Sequence, residues 1–127
     1  MAKAVNPIIL IVEDDEVLLR ALYLFFHNRG YTVASANEGE TGLKMATRLM
    51  PNVILLDLLM PKMDGFEFIR QAKAQTTLEK IPIIVLSNLG HEDEMEKAKA
   101  LGVQDYFIKA NTDLGSLEEK IRKNYIK

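Results

Sequence analysis

Five short apolar runs, rich in β-branched residues, recur along the chain, and each is followed by a segment long enough for a helix. They cover 8–12, 32–36, 53–56, 83–86 and 106–108. Each run is continuous rather than alternating, as expected of strands covered on both faces. Helical periodicity is clearest over 16–28, 65–74, 92–101 and 113–126. It is weaker over 39–49, where Gly39 and Gly42 fall in the first turns and Pro51 marks the end. Gly30 and Gly102 stand just past helix ends, where a left-handed cap is usual. The helix at 92 opens on Glu92, Asp93 and Glu94 and closes on lysines, which suits its dipole. Such alternation predicts an α/β fold, a doubly wound parallel sheet with helices on both faces. Right-handed crossovers put every strand's C-terminal end on one edge, where such sheets bind ligands.

The chain has 127 residues, which suits one domain over 1–127. A net charge of −2 gives no basic field, so no direct nucleic-acid partner is expected. The basic tail "KIRKNYIK" is explained by the dipole of a terminal helix. There is no cysteine, which excludes a disulfide framework, a thiolate metal site and a cysteine nucleophile. The apolar run at 8–12 is too short to span a bilayer, and acids follow it with no cleavage site. No membrane association is expected, and the expected compartment is the cytoplasm.

The residues that close each strand carry the chemistry. Glu13, Asp14 and Asp15 follow the first strand, Asp57 the third, Ser87 the fourth and Lys109 the fifth. The second ends in Ala36-Asn37-Glu38, with no evident chemistry. Carboxylates, a hydroxyl and an ammonium therefore converge on one edge. Two carboxylates about 4 Å apart repel by roughly 4 kcal/mol at an effective dielectric near 20, so a cluster needs a cation or protons. An all-oxygen ligand set favours Mg²⁺, with Mn²⁺ and Ca²⁺ as alternatives. A lysine opposite can neutralise a phosphoryl group, and a carboxylate can accept one as an acyl phosphate. The residues point to Mg²⁺-assisted phosphoryl transfer onto an aspartate.

With these motifs the sequence closely resembles the receiver domains of two-component response regulators. The resemblance rests on "IVEDDE", "LLDLLMPKMDG", "IIVLSN" and "YFIKA", which fall in the family's order and span nearly the whole chain. It implies a five-stranded, flavodoxin-like sheet of order 2-1-3-4-5. It also implies that Asp57 is the phosphoacceptor, with a histidine kinase or histidine phosphotransfer protein as donor. Glu13, Asp14, Asp57 and the backbone carbonyl of Leu59 would hold Mg²⁺, and Asp15 would stand outside the ligand set. Ser87 would hydrogen-bond the phosphoryl group, Lys109 would pair with it, and Tyr106 would turn inward as Ser87 moves. The Met60-Pro61…Asp64-Gly65 loop would shape the approach. Such a domain is a signalling phosphoprotein rather than an enzyme in the usual sense. It catalyses only its own phosphorylation and dephosphorylation, and it signals through a population shift. The alternative within the family is a protein-interaction module that works without phosphorylation.

Two positions depart from the family pattern. Lys109 is followed by Ala110 where proline is usual, often after a cis bond; a non-proline cis bond costs about 2.5–4 kcal/mol. Asn88 follows Ser87 where a smaller residue is common, and it bears on access to the site. Two other classes fit less well. A phosphatase with an aspartate nucleophile would carry an acid two residues later, where Leu59 stands. A flavin-binding protein would want a Ser/Thr/Gly-rich phosphate loop after the first strand, and carboxylates there would repel the phosphate.

His27 and His91 lack metal-ligand spacing and are expected at the surface, while Met60 and Met63 are expected to pack. In the first helix, Leu18, Ala21, Leu22 and Phe25 are expected to cover the sheet. A second set, Leu19, Tyr23 and Phe26, is either a widening of that stripe or a docking surface for the phosphodonor. A downstream protein, or a weak phosphorylation-promoted dimer of an otherwise monomeric chain, is expected on the face built from 91–101, 104–108 and 113–126. Met1 and a capped last helix ending at Lys127 favour a stand-alone receiver over a piece of a longer regulator.

Overall fold

The structure is a computed structural model describing residues 6–126. Met1 and Lys127, on which the expectation of a stand-alone chain rested, lie outside the described residues. The elements are β1 (Ile8–Val12), α1 (Glu16–Asn28), β2 (Thr32–Ala36), α2 (Gly39–Leu49), β3 (Val53–Leu56) and α3 (Gly65–Ala74). They continue with β4 (Ile83–Ser87), α4 (Glu92–Ala100), β5 (Asp105–Ile108), a 3₁₀ turn at Lys109–Asn111 and α5 (Leu114–Tyr125). Boundaries differ from expectation by a residue. β4 runs on to include Ser87, β5 starts at Asp105, and Asp113 caps α5 through a bond from the Ser116 amide rather than joining the helix.

The sheet is parallel with order β2-β1-β3-β4-β5, the flavodoxin-like order that the resemblance implied. Its strands are apolar on both sides because alternate residues feed two separate cores. Leu10, Val12, Ile54, Leu56, Ile83 and Val85 meet Leu43, Phe68, Ile69 and Ala98 of α2, α3 and α4. Ile9, Ile11, Val53, Leu55, Ile84 and Leu86 meet Leu22 and Phe26 of α1 and Leu117 and Ile121 of α5. The chain winds outward from β1 in both directions, so the crevice of such a sheet lies between the C-terminal ends of β1 and β3. No helix among the described residues is long and apolar enough to cross a membrane.

The inward face of α1 is the expected stripe in its widened form, with Ala21 as the exception. Leu22 and Phe26 are buried, Leu18, Leu19 and Phe25 pack against them, and Ala21 is exposed. Leu19 and Phe26 thus belong to a single broad core stripe, and of the second set only Tyr23 remains at the surface. Weak periodicity in α2 also has a packing reason. A Cβ at Gly42 would come within 2.9 Å of Val12 Cγ2, and one at Gly39 within 2.9 Å of Met63 Sδ. The two glycines let α2 lie close on β1 and on the β3–α3 loop. Gly30 (φ +92°) and Gly102 (φ +106°) take the left-handed conformation expected of helix-end glycines.

One buried carboxylate fastens α5 to the α1–β2 turn. Glu118 accepts from the Tyr31 hydroxyl at 2.9 Å, and from Arg29 Nη1 and Arg122 Nε at 3.3 Å each. Glu118→Ala leaves the buried Tyr31 hydroxyl without its partner, whereas the two half-exposed guanidinium groups regain water. A cost of about 2 kcal/mol is expected, read as a lower urea midpoint at unchanged m-value.

Candidate functional site

Main-chain bonds at the end of the sheet set the acidic cluster. The Glu13 amide donates to Ala36 O and the Asp57 amide to Val12 O, each at 3.0 Å. Each bond continues the ladder one residue past a strand, so the two side chains emerge together at the switch point. Glu13, Asp14 and Asp57 bring one carboxylate oxygen each within 4.8 Å of one another. Asp15 turns away to cap α1, accepting from the amides of Val17 and Leu18 at 3.0 and 3.2 Å. Its side chain serves the helix, in keeping with its expected place outside the ligand set.

Glu13 and Asp57 are buried, at 2% and 4% exposure. Lys109 bridges them, with Nζ 2.8 Å from Glu13 Oε1 and 3.5 Å from Asp57 Oδ1. The Asp15 amide donates to Glu13 Oε2 at 3.1 Å and the Leu59 amide to Asp57 Oδ1 at 3.4 Å. Burial pushes Glu13 up to about 7, against the opposing pull of Lys109 and the Asp15 amide. Burial also raises Asp57, again opposed by Lys109 and a main-chain amide. For Lys109, burial disfavours the ammonium. Its bond to Glu13 and the charges of Asp57 and Glu13 outweigh that, and its pKa lies above the ordinary lysine value. One cation thus serves two buried acids with a third beside them, an all-oxygen site short of positive charge. The donor set fits a hard divalent cation such as Mg²⁺.

Ser87 is fully buried at the end of β4, and its Oγ accepts from the Leu89 amide at 3.3 Å. The Tyr106 hydroxyl donates to the carbonyl of the same Leu89, and its ring stands inward among the core of α2, α3 and α4. Burial raises the Tyr106 pKa, which keeps that hydroxyl a donor. Leu89 therefore ties Ser87 to Tyr106 through its main chain. Sequence reasoning missed it because a backbone link leaves no residue-type signal. Gly65 was seen only as a turn glycine, yet its amide donates to Leu58 O at 2.9 Å beside the cluster.

There is no cis peptide bond among the described residues, so Lys109-Ala110 is trans. The turn after Lys109 is closed by Thr112 Oγ1 donating to Ile108 O at 2.6 Å. Asn88 is exposed, and so are His27 and His91. His27 stacks on Tyr23, with centroids 6.0 Å apart, and His91 precedes α4. Met60 is buried and Met63 packs against the core, as expected of packing residues. A cleft of about 370 Å³ opens beside the cluster, lined by Asp14, Leu59, Met60, Pro61, Phe66 and Leu89 among others. The side chain of Leu59 is half exposed at its rim.

The fold recurs in known proteins. The family profile described as response regulator receiver domain matches residues 9–122. The transcriptional regulatory protein AfsQ1 of Streptomyces coelicolor is 34% identical over 103 residues, 81% of this chain and 44% of that protein. The chain thus spans less than half the length of that regulator. Protein PilH of Pseudomonas aeruginosa is 31% identical over 101 residues, 80% of this chain and 84% of that protein. Among solved structures, the receiver domain of a sensor histidine kinase from Pseudomonas aeruginosa superposes with a TM-score of 0.86 at 26% identity, covering 96% of this chain and 98% of that one. That structure holds a magnesium ion coordinated in its active-site cleft. With the profile spanning all five strands and the sheet order in agreement, the chain belongs to the response regulator receiver domain family.

Proposed function

We propose that this receiver domain accepts a phosphoryl group on Asp57 from a phosphohistidine donor and passes the signal on by a shift between two conformations. The observation that carries this reading is the cluster of Glu13, Asp14 and Asp57 within 4.8 Å, two of them sharing Lys109. The side chains of Glu13, Asp14 and Asp57 and the main-chain carbonyl of Leu59 are the groups assigned to hold Mg²⁺. When bound, the ion supplies the positive charge that the cluster lacks and that a phosphoryl group needs. Magnesium in the related Pseudomonas receiver supports the assignment.

In the proposed step an Asp57 carboxylate oxygen bonds to phosphorus as the phosphorus–nitrogen bond to the donor imidazole breaks, and the electron pair leaves with the ring. Lys109 then exchanges its carboxylate partners for phosphoryl oxygens, and the Ser87 hydroxyl donates to one of them. Moving Ser87 disturbs its bond to the Leu89 amide and, through Leu89, the Tyr106 hydroxyl. That is the route by which occupancy of Asp57 reaches the face of α4, β5 and α5, where a downstream protein is assigned. A histidine kinase or phosphotransfer protein is assigned to the face beside α1, where Tyr23 and Leu24 are exposed. The chain is a signalling domain and acts catalytically only on itself, and the cytoplasm is its proposed compartment.

Intact-mass measurement after incubation with Mg²⁺ and acetyl phosphate tests the reading. A Mg²⁺-dependent gain of one phosphoryl mass is expected, absent in Asp57→Asn. No gain under conditions that label another receiver would overturn it in favour of an interaction module that needs no phosphorylation.

A further inference from the structure

The edge strand β2 is open, and its free hydrogen-bonding groups form a self-complementary set. In the ladder with β1, the Thr32 amide donates to Pro7 O at 2.8 Å and Ala36 O accepts from the Glu13 amide at 3.0 Å. Strand alternation then turns the N–H and C=O groups of Thr32, Ala34 and Ala36 toward β1 and those of Val33 and Ser35 outward. Neither Val33 nor Ser35 has a main-chain or side-chain partner for these groups among the described residues. Exposed edges are usually guarded by charge, proline or a bulge. β2 reads Thr-Val-Ala-Ser-Ala and has none of these. The opposite edge, β5, carries Asp105, which Lys120 and the Tyr125 hydroxyl approach at 3.3 and 3.2 Å.

Beside the open edge lies a groove of about 580 Å³. It is walled by Glu16, Leu19, Arg20, Tyr23 and Leu24 of α1 and floored by Ser35 and its neighbours. Tyr23 and Leu24 are 38% and 49% exposed there. Glu16 and Arg20 are one helical turn apart, yet neither has an ion-pair partner among the described residues.

We propose that a second copy of this chain occupies the groove, joining β2 to β2 antiparallel about a two-fold axis at Ala34. Val33 of each copy then faces Ser35 of the other, and the two pairs exchange four N–H···O bonds. That register satisfies every outward group of the strand and makes one ten-stranded sheet. The same axis lays the two α1 helices antiparallel on one face. The acidic first turn of each, with Glu16, comes toward the basic last turn of the other, with His27. The exposed Tyr23 and Leu24 are covered near the axis. One consequence rests on the proposed function: pairing covers part of the α1 face assigned to the phosphodonor, so dimer and donor exclude one another. The association itself does not rest on phosphorylation.

Sedimentation equilibrium with residue-resolved amide exchange tests the pairing. Between about 10 µM and 1 mM, the range of a weak dimer, the mass is expected to rise from 14.4 kDa toward twice that value. Over the same range the Val33 and Ser35 amides are expected to gain about fourfold protection, as the monomer fraction falls, while Ala34 and Ala36, already bonded to β1, stay as they were. Leu24→Lys, at an exposed position, is expected to weaken association at least about tenfold at unchanged melting temperature. A mass that stays at 14.4 kDa throughout overturns the proposal. So does a dimer that leaves Val33 and Ser35 exchange unchanged, since its interface then lies elsewhere.

Discussion

At pH 8 and without added Mg²⁺, Lys109→Ala is expected to be less stable than the parent chain by about 3 kcal/mol, whereas at pH 5 the two are expected to differ by under about 1 kcal/mol. Lys109 is the cation that touches both buried carboxylates, at 2.8 Å from Glu13 and 3.5 Å from Asp57. Removing one partner of a buried pair leaves uncompensated charge, which costs a few kcal/mol unless the charge is neutralised. Protons can do that here. Glu13 is raised by burial from 4.5 to about 7 even with Lys109 opposing, so the folded state holds a proton that the unfolded chain releases between those values. Its contribution to stability is full below about pH 4.5 and is lost as pH rises through about 7. Asp57 is raised for the same first reason and acts in the same direction. Deleting Lys109 removes the opposing cause and moves both groups further up, so the penalty grows with pH and shrinks as Glu13 takes up its proton. Mg²⁺ supplies the missing charge, and 10 mM, on the order of ordinary labelling conditions, should narrow the difference at pH 8. Labelling from acetyl phosphate should fall on the order of 10²-fold, as for other lost electrostatic stabilisers. Urea unfolding at the two pH values decides it: equal destabilisation at both would mean that Lys109 acts by packing its stem rather than by its charge.

The five strands and five helices were legible because each speaks twice in the sequence. The run at 53–56 is apolar on both faces and stops at Asp57, and helix 65–74 shows a clear period, to which the structure adds Asp64 as its cap through the Glu67 amide. The meeting of Glu13, Asp14, Asp57, Ser87 and Lys109 at one edge was legible for a related reason. In a parallel sheet, the residue that ends each strand has its place fixed by topology before any side chain is considered. What the sequence hid depends on rotation and on contacts distant along the chain. The sets Leu18, Ala21, Leu22, Phe25 and Leu18, Leu22, Phe25, Phe26 both satisfy a helical period. Only the seating of α1 on the sheet buries Phe26 and exposes Ala21. Glu118 reads as a surface acid until Tyr31, 87 residues earlier, arrives beside it. The switch position shows the same limit: Tyr106 was picked out as an aromatic, but the carbonyl that holds its hydroxyl belongs to Leu89 and carries no mark of residue type.

Gly65→Ala should be among the most damaging single-methyl changes in the chain, with an expected cost of about 3 kcal/mol and a matching loss of labelling at Asp57. Gly65 opens α3 without a left-handed φ, so conformational freedom is not the reason for glycine. Space is the reason. A Cβ there would come within 2.6 Å of Asp57 O and 2.6 Å of Leu58 Cα, both main-chain atoms. Neither can rotate away, so α3 must lift from the end of β3, breaking the 2.9 Å bond from the Gly65 amide to Leu58 O. The gain in helix propensity from glycine to alanine, at most about 1 kcal/mol, is smaller than this overpacking. Gly30→Ala is the contrasting control. There a Cβ meets nothing within 4 Å, and only the left-handed φ of +92° is disfavoured, so about 1 kcal/mol is expected with labelling intact. Thermal melting and acetyl phosphate labelling of the two variants separate the causes. Adding Leu58→Ala to Gly65→Ala removes the Leu58 Cδ2 contact at 2.7 Å but neither main-chain clash. That second change should therefore fail to rescue, and a rescued melting temperature would show that the side chain, not the main chain of the acceptor strand, sets the limit.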